Sequence, residues 1–183
     1  MKPEDSLNIL HNALETHLTL ELGGHVVTVN AADFTLNFFD LFKETFEGTG
    51  GASSHFIDPK GGSLFETLER ITPELASKKL AGSSIAAHVA HTRYYLHILP
   101  KFMRDENPKA DWPGSWQKSQ VDALEWDALK LALRSEYENV TRFMRGIQTW
   151  DDEMIGGGLS MLAHTSYHLG AIRQLAKMLE LDR

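Results

Sequence analysis

The distribution of apolar residues predicts helices along most of the chain. In four long segments the apolar positions recur three and four residues apart, which is the spacing of an amphipathic helix. These segments are residues 30–46, 83–103, 121–147 and 152–181. Helices with one apolar stripe bury that stripe by packing together, so the sequence predicts an all-α protein built as a four-helix bundle. Phenylalanines in the first segment, such as Phe42 and Phe46, are interpreted as core residues.

The N-terminal part of the chain shows a weaker pattern. Residues 4–22 place leucines at helical spacing and end at Gly23 and Gly24, which predicts an additional N-terminal helix. Residues 25–30 are rich in β-branched side chains, but the run is too short and isolated to predict a sheet, and we interpret it as a strand-like connector. The chain is therefore predicted to be one domain, 1–183, with an N-terminal extension, 1–30.

Several short signals lie between the long helices. Ser63 and Glu66 form a capping-box pattern that predicts a short helix, and Thr72-Pro73 begins another. The segments 47–62 and 104–117 are long for the loops of a minimal bundle, which favours crossover connections or a functional rim. Trp112 and Trp116 lie in the second of these loops, as candidates for a lid, an interface or ordinary packing.

The charge of the chain argues against nucleic acid as a partner. The formal net charge is −7, and no basic run is longer than Lys78-Lys79. The sequence also lacks an apolar stretch of the roughly 20 residues that a membrane span needs. We expect a cytoplasmic protein that contacts neither nucleic acid nor membrane and that acts on a small molecule.

Two histidines stand out in the last predicted helix. His164 and His168 fall on the same inward stripe as Met161, Ile172 and Leu175. A buried imidazole needs partners for its ring nitrogens, and residues four apart can offer two nitrogens to one metal ion. The alternative is a pair of core histidines bonded to carboxylates or carbonyls. The pattern lacks the Glu after the first His that a zinc protease would show.

The second histidine-bearing segment, 83–103, offers two candidates for the same ion. His88 lies near the middle of the apolar stripe, whereas His91 lies at its edge with Tyr95 and Phe102. The spacing alone leaves both open. His97 points elsewhere and is expected to be exposed. Before His164, the glycines at 156–158 could allow a substrate to approach the helix or could allow close helix packing.

The residues Ser84-Ile-Ala-Ala-His-Val-Ala-His91 and His164-Thr-Ser-Tyr-His168-Leu-Gly-Ala-Ile172 resemble the DinB-like superfamily of metal-binding four-helix bundles. The resemblance runs from about residue 33 onward. In that family the ligand of the second bundle helix follows seven residues after the Ser or Thr that opens the helix, which corresponds to His91. The resemblance therefore implies a divalent ion, zinc or nickel, bound by His91, His164 and His168. Ser83 replaces the tryptophan that often precedes the opening Ser.

Characterised members of that family include bacillithiol transferases and mycothiol-dependent maleylpyruvate isomerase. The resemblance thus implies a metal site that activates a low-molecular-weight thiol, or water, for attack on an electrophilic small molecule. The chain has no cysteine, so a thiol must come from outside. Candidates for a general base are Glu136, Glu138 and Tyr167. Alternatives are a non-catalytic protein with a structural metal and a damage-response or stress-response interaction protein. A homodimer is a further expectation, with Trp112 or Trp116 as interface residues.

Overall fold

The computed structural model describes residues 17–22, 25–51, 53–57 and 62–181. These residues are mostly helical, which confirms the prediction of a predominantly helical protein. The four-helix bundle stays a prediction. The elements in chain order are β1 His17–Leu22, β2 His25–Asn30, α1 Ala31–Glu47, α2 Leu64–Glu69, α3 Pro73–Ser77, α4 Ile85–Met103, a 3₁₀ turn Gly114–Trp116, α5 Ala123–Arg145 and α6 Asp152–Leu181.

A β-hairpin replaces part of the predicted N-terminal helix. The strand β1 pairs antiparallel with β2, from His17 opposite Asn30 to Leu22 opposite His25. The helix prediction is therefore wrong for residues 17–22, and its earlier part lies outside the described residues. Leucines at 18, 20 and 22 alternate with polar residues, which is strand periodicity, and Gly23-Gly24 is a sequence typical of a two-residue hairpin connection. Residues 25–30, which were expected to be a connector outside any sheet, form the second strand of this hairpin.

The chain divides into two compact units, residues 1–41 and 42–183. The first contains the hairpin and α1 as far as Leu41. The second contains the last turns of α1 and all later elements, including every histidine of the candidate site. The prediction of a single domain stays a prediction.

In the second unit, α4 packs against both α5 and α6. Fully buried side chains from these helices form its core, and they include Ile85, Leu96, Trp126, Leu133, Met144, Met161 and Ile172. The end of α1 adds Phe46, whose ring stacks on that of Tyr137 at 4.6 Å between centroids. Phe42 and Phe46 are buried, as predicted for core residues. Within the described residues, no helix combines the length and the apolar character needed to cross a membrane.

Side-chain caps determine where the helices begin. Ser63 and Glu66 form the predicted capping box of α2, and the hydroxyl of Ser84 accepts the N–H of Ala87 at the start of α4. The cap of α6 is the residue directly before its first helical residue. Asp152 lies inside the helix, and the carboxylate of Asp151 accepts the N–H of Met154 at 2.9 Å.

A glycine allows α6 to approach the end of α4 closely. A Cβ added at Gly157 would lie 2.7–2.8 Å from side-chain atoms of Met103, whereas a Cβ at Gly156 would meet no atom of the described residues within 4 Å. Of the two interpretations of these glycines, close helix packing therefore applies to Gly157. This contact joins the two helices that carry the histidines of the candidate site.

Candidate metal centre

The packing of α4 on α6 brings three histidines together. His91 comes from α4, and His164 and His168 come from successive turns of α6. Each offers one ring nitrogen, and the three nitrogens lie within 4.8 Å of one another, so the group could hold a metal ion. His91 and His168 are buried, at 7% and 2% exposure, and His164 is half-buried. These are the three residues that the resemblance to the DinB-like superfamily implies as metal ligands.

One pair of nitrogens within this group has a spacing suited to a shared ion. The Nε2 atoms of His91 and His164 lie 3.1 Å apart. Two nitrogens that bind zinc at 2.0–2.1 Å with a tetrahedral angle are about 3.3 Å apart. The two rings therefore need little movement to ligate one ion together.

His88 belongs to the same cluster but contacts it differently. Its ring is buried at 8% exposure, and its Nδ1 atom lies 2.9 Å from Nδ1 of His168. Both candidates on α4 thus face α6, which explains why the apolar stripe alone left both open. His91 completes the group of three nitrogens, and His88 makes a hydrogen bond to one of its members.

Aromatic rings surround the histidines. Trp116 stacks on His91 with 4.1 Å between centroids, and Tyr95 stacks on His164 at 3.6 Å. The ring of Tyr167 meets that of His168 edge-on at 5.0 Å. The ring of Trp112 lies 6.4 Å from that of His91, so both tryptophans of this loop lie beside the cluster. Tyr95 is a site residue that the sequence reasoning did not assign, although its position four residues after His91 places it on the same helix face.

Burial lowers the pKa of all four imidazoles below the usual value. Desolvation, aided by the neighbouring His91, lowers the pKa of His164 to about 4. Desolvation together with the surrounding imidazoles lowers the pKa of His168 to about 3. Burial also lowers the pKa values of His88 and His91. The rings are therefore neutral at pH 7, which is the form that binds a metal ion.

The alternative of core histidines satisfied by carboxylates or carbonyls does not fit these contacts. Within the described residues, His164 and His168 find their hydrogen-bond partners in other imidazoles. The Nδ1 atom of His164 is buried with no partner in that part of the chain. A buried nitrogen without a partner costs on the order of 1–3 kcal/mol. Within the described part of the chain, the polar groups thus leave one nitrogen of the cluster without a hydrogen-bond partner.

The candidate general bases lie in different places. Glu136 bonds His97, with 3.0 Å between Oε1 and Nδ1, and His97 is exposed as predicted. Glu138 is exposed on α5. Tyr167 is 68% exposed and adjoins the site through its ring contact with His168. Of the three, Tyr167 is the one with a contact to a histidine of the cluster.

No family model, curated protein or solved structure matches the chain. The resemblance to the DinB-like superfamily therefore stays a prediction. Any function must be argued from the site itself.

Proposed function

We propose that this chain is a metal-dependent protein in which His91, His164 and His168 bind one divalent ion, zinc or nickel. We further propose that it promotes attack by a low-molecular-weight thiol, or by water, on an electrophilic small molecule. The observation that carries the proposal is the group of three imidazole nitrogens within 4.8 Å, from two buried histidines and one half-buried histidine. Two further observations support metal binding. The rings of His164 and His168 are neutral at pH 7, and the Nδ1 atom of His164 has no hydrogen-bond partner among the described residues. Membership of the DinB-like superfamily is part of this proposal.

A set of three histidine ligands is typical of a catalytic metal site rather than of a structural one. Structural zinc sites have four protein ligands, while catalytic sites have three and keep one position open. A divalent ion with three neutral ligands keeps its full charge and would lower the pKa of a thiol or water at the open position. Because the chain has no cysteine, the nucleophilic sulfur must belong to a second small molecule.

The residues around the histidines can hold and orient an apolar electrophile. Trp112 and Trp116 keep 38% and 36% of their surfaces exposed beside the cluster, so each has surface open to a ligand. In the proposed reaction a carbon–sulfur bond forms at the electrophile, and the leaving group departs with its electron pair. The thiol proton passes to solvent.

Metal binding is the first test. We would titrate metal-free protein with zinc and with nickel by calorimetry and measure metal content after dialysis. We expect about one equivalent in the wild type and loss of binding in His91→Ala, His164→Ala and His168→Ala. His97→Ala is the matched control because His97 is exposed and bonded to Glu136. A wild type that binds neither metal would contradict the proposal.

Activity is the second test, and it separates the enzyme from the non-catalytic alternative. Metal-loaded protein would be mixed with a small thiol and an activated aryl halide, and halide release would be measured. We expect a metal-dependent rate that His164→Ala abolishes. Full metal binding with a higher melting temperature and no rate for any thiol would favour an ion that only joins α4 to α6.

A further inference from the structure

The side chain of Ser115 connects the loop 111–116 to the proposed metal site. Its Oγ atom lies 2.6 Å from Nδ1 of His91 and 2.5 Å from the carbonyl oxygen of Trp112. Both distances are those of hydrogen bonds. Ser115 lies in the 3₁₀ turn Gly114–Trp116, and the next residue, Trp116, stacks on the face of the same imidazole.

The directions of these two hydrogen bonds follow from the atoms involved. A serine hydroxyl has one hydrogen, and a carbonyl oxygen can only accept. Ser115 therefore donates to Trp112 and has only a lone pair left for His91. The Nδ1 atom of His91 must then carry the ring proton, and Nε2 of the neutral ring has a free lone pair. That Nε2 atom is the one 3.1 Å from Nε2 of His164.

We propose that Ser115 is a positioning residue that fixes the Nδ1–H tautomer and the orientation of His91, so that Nε2 is presented as a metal ligand. This inference rests on the proposed metal site. The imidazole is held at its edge by the Ser115 hydroxyl and on its face by Trp116. Both contacts come from one turn of the loop, so the loop is part of the metal centre.

The loop is fastened to α4 in a way that can hold Ser115 in place. The N–H of Asp111 donates to the Tyr94 hydroxyl at 2.6 Å. At the other end, the Ser84 hydroxyl donates to the carbonyl oxygen of Ser119 at 2.7 Å. Because Tyr94 and His91 lie on the same helix, the loop and the ring it orients share one rigid support.

A tight turn within the loop aims Ser115 at the ring. The carboxylate of Asp111 accepts the N–H of Gly114 at 2.9 Å. A Cβ at Gly114 would lie 2.1 Å from Oδ2 of Asp111, so a larger residue would displace this carboxylate. Glycine at this position therefore lets the turn close directly before Ser115.

Zinc affinity measured by calorimetry tests the proposal. We expect Ser115→Ala to bind zinc with unchanged stoichiometry and an affinity lower by about 10- to 100-fold, the usual effect of removing a group that orients a metal ligand. Ser115→Thr, which keeps the hydroxyl, should restore most of the affinity. Ser119→Ala is the matched control, because Ser119 contributes its backbone carbonyl to the loop and the substitution keeps that group.

Nitrogen-15 NMR of the metal-free protein gives a readout independent of metal. In the wild type we expect the shifts of His91 to show protonated Nδ1 and unprotonated Nε2. In Ser115→Ala the Nε2–H form should gain population. Wild-type protein with His91 protonated at Nε2 would overturn the inference.

The two proposals fail in different ways. If the wild type binds neither zinc nor nickel, the proposed function is overturned together with this inference. If the wild type binds zinc and Ser115→Ala binds it equally well, only the role of Ser115 is overturned.

Discussion

The Nδ1 atoms of His88 and His168 lie 2.9 Å apart, so a histidine of α4 holds the ring of a histidine of α6. One of the two atoms carries the proton between them. If His168 binds a metal ion through Nε2, its Nδ1–H donates to His88. His88 then supports a metal ligand without being one, a role that spacing along the sequence could not assign.

We predict that His88→Ala weakens zinc binding and does not abolish it. Loss of a hydrogen-bond acceptor behind a metal-ligating histidine typically lowers affinity about 10- to 100-fold. Titration calorimetry should show one equivalent in His88→Ala at high zinc concentration. His97→Ala, on the exposed surface of the same helix, should bind like the wild type. Complete loss of binding in His88→Ala would make His88 a ligand, and unchanged affinity would remove it from the site.

We predict that the metal-free protein loses stability as the pH falls from about 6.5 toward 5. The pKa of His164 is held at about 4 and that of His168 at about 3, chiefly by desolvation. The unfolded chain takes up protons at these rings near pH 6.5, while the folded protein does not until far lower pH. The unfolded state therefore binds more protons in this window, and the free energy of unfolding falls as the pH falls.

Urea denaturation with a chelator, at intervals between pH 7 and 5, measures this effect. The double variant His164→Gln/His168→Gln should show a shallower dependence on pH. Some slope should remain, because burial also lowers the pKa values of His88 and His91. An unchanged slope in the double variant would contradict the prediction.

We predict opposite effects for alanine at two neighbouring glycines of α6. Gly157→Ala places a methyl group against the side chain of Met103, which is buried and has little room to move. Such overpacking typically costs about 1–3 kcal/mol, from which a helix-propensity gain of about 0.5–1 kcal/mol is subtracted. Gly156→Ala points into open space and replaces a poor helix former, so it should stabilise by about 0.5–1 kcal/mol. Chemical denaturation of both variants measures the difference. Equal effects would show that Gly157 does not set the contact between α4 and α6.

Glu44 is a buried carboxylate that organises the loop after α1. Its side chain is 3% exposed, and it accepts hydrogen bonds from the Ser54 hydroxyl at 2.6 Å and from the backbone N–H groups of residues 55–57. Burial raises its pKa, but these hydrogen bonds outweigh burial and lower the pKa from 4.5 to about 2. The charged form is therefore stabilised by the fold.

We predict that Glu44→Gln lowers the free energy of unfolding by about 1–3 kcal/mol at pH 7, because an amide NH₂ would face these donors. The wild-type advantage should persist down to about pH 4.5 and shrink as the pH falls toward 2, where the carboxylate takes up its proton. Urea denaturation at pH 7 and pH 3 measures both values. The exposed Glu138→Gln should change stability by less than about 0.5 kcal/mol. An effect of Glu44→Gln that is the same at pH 3 as at pH 7 would contradict this account.

Much of the helical structure could be predicted because each helix carries its own local signals. Ser84 caps α4, Ser63 with Glu66 caps α2, and the apolar spacing of the long segments matches buried positions in the second unit. The failure at residues 17–22 has a physical reason. Leucine spacing in a short segment fits both helix and strand, and pairing with residues 25–30 decides between them.

The candidate site likewise contains some residues that neighbour each other in sequence and others that only the fold brings together. By itself, the sequence determined that His164 and His168 share one face of a helix, since one turn separates them along the chain. Spacing left His88 and His91 both open, and the tertiary structure groups His91 with the pair, as the family resemblance implied. It also decided that His88 contacts His168 and that Ser115 reaches His91. Those contacts join residues 24 to 80 positions apart. Helix packing and loop closure create these contacts. The spacing of apolar residues along the chain cannot predict either one.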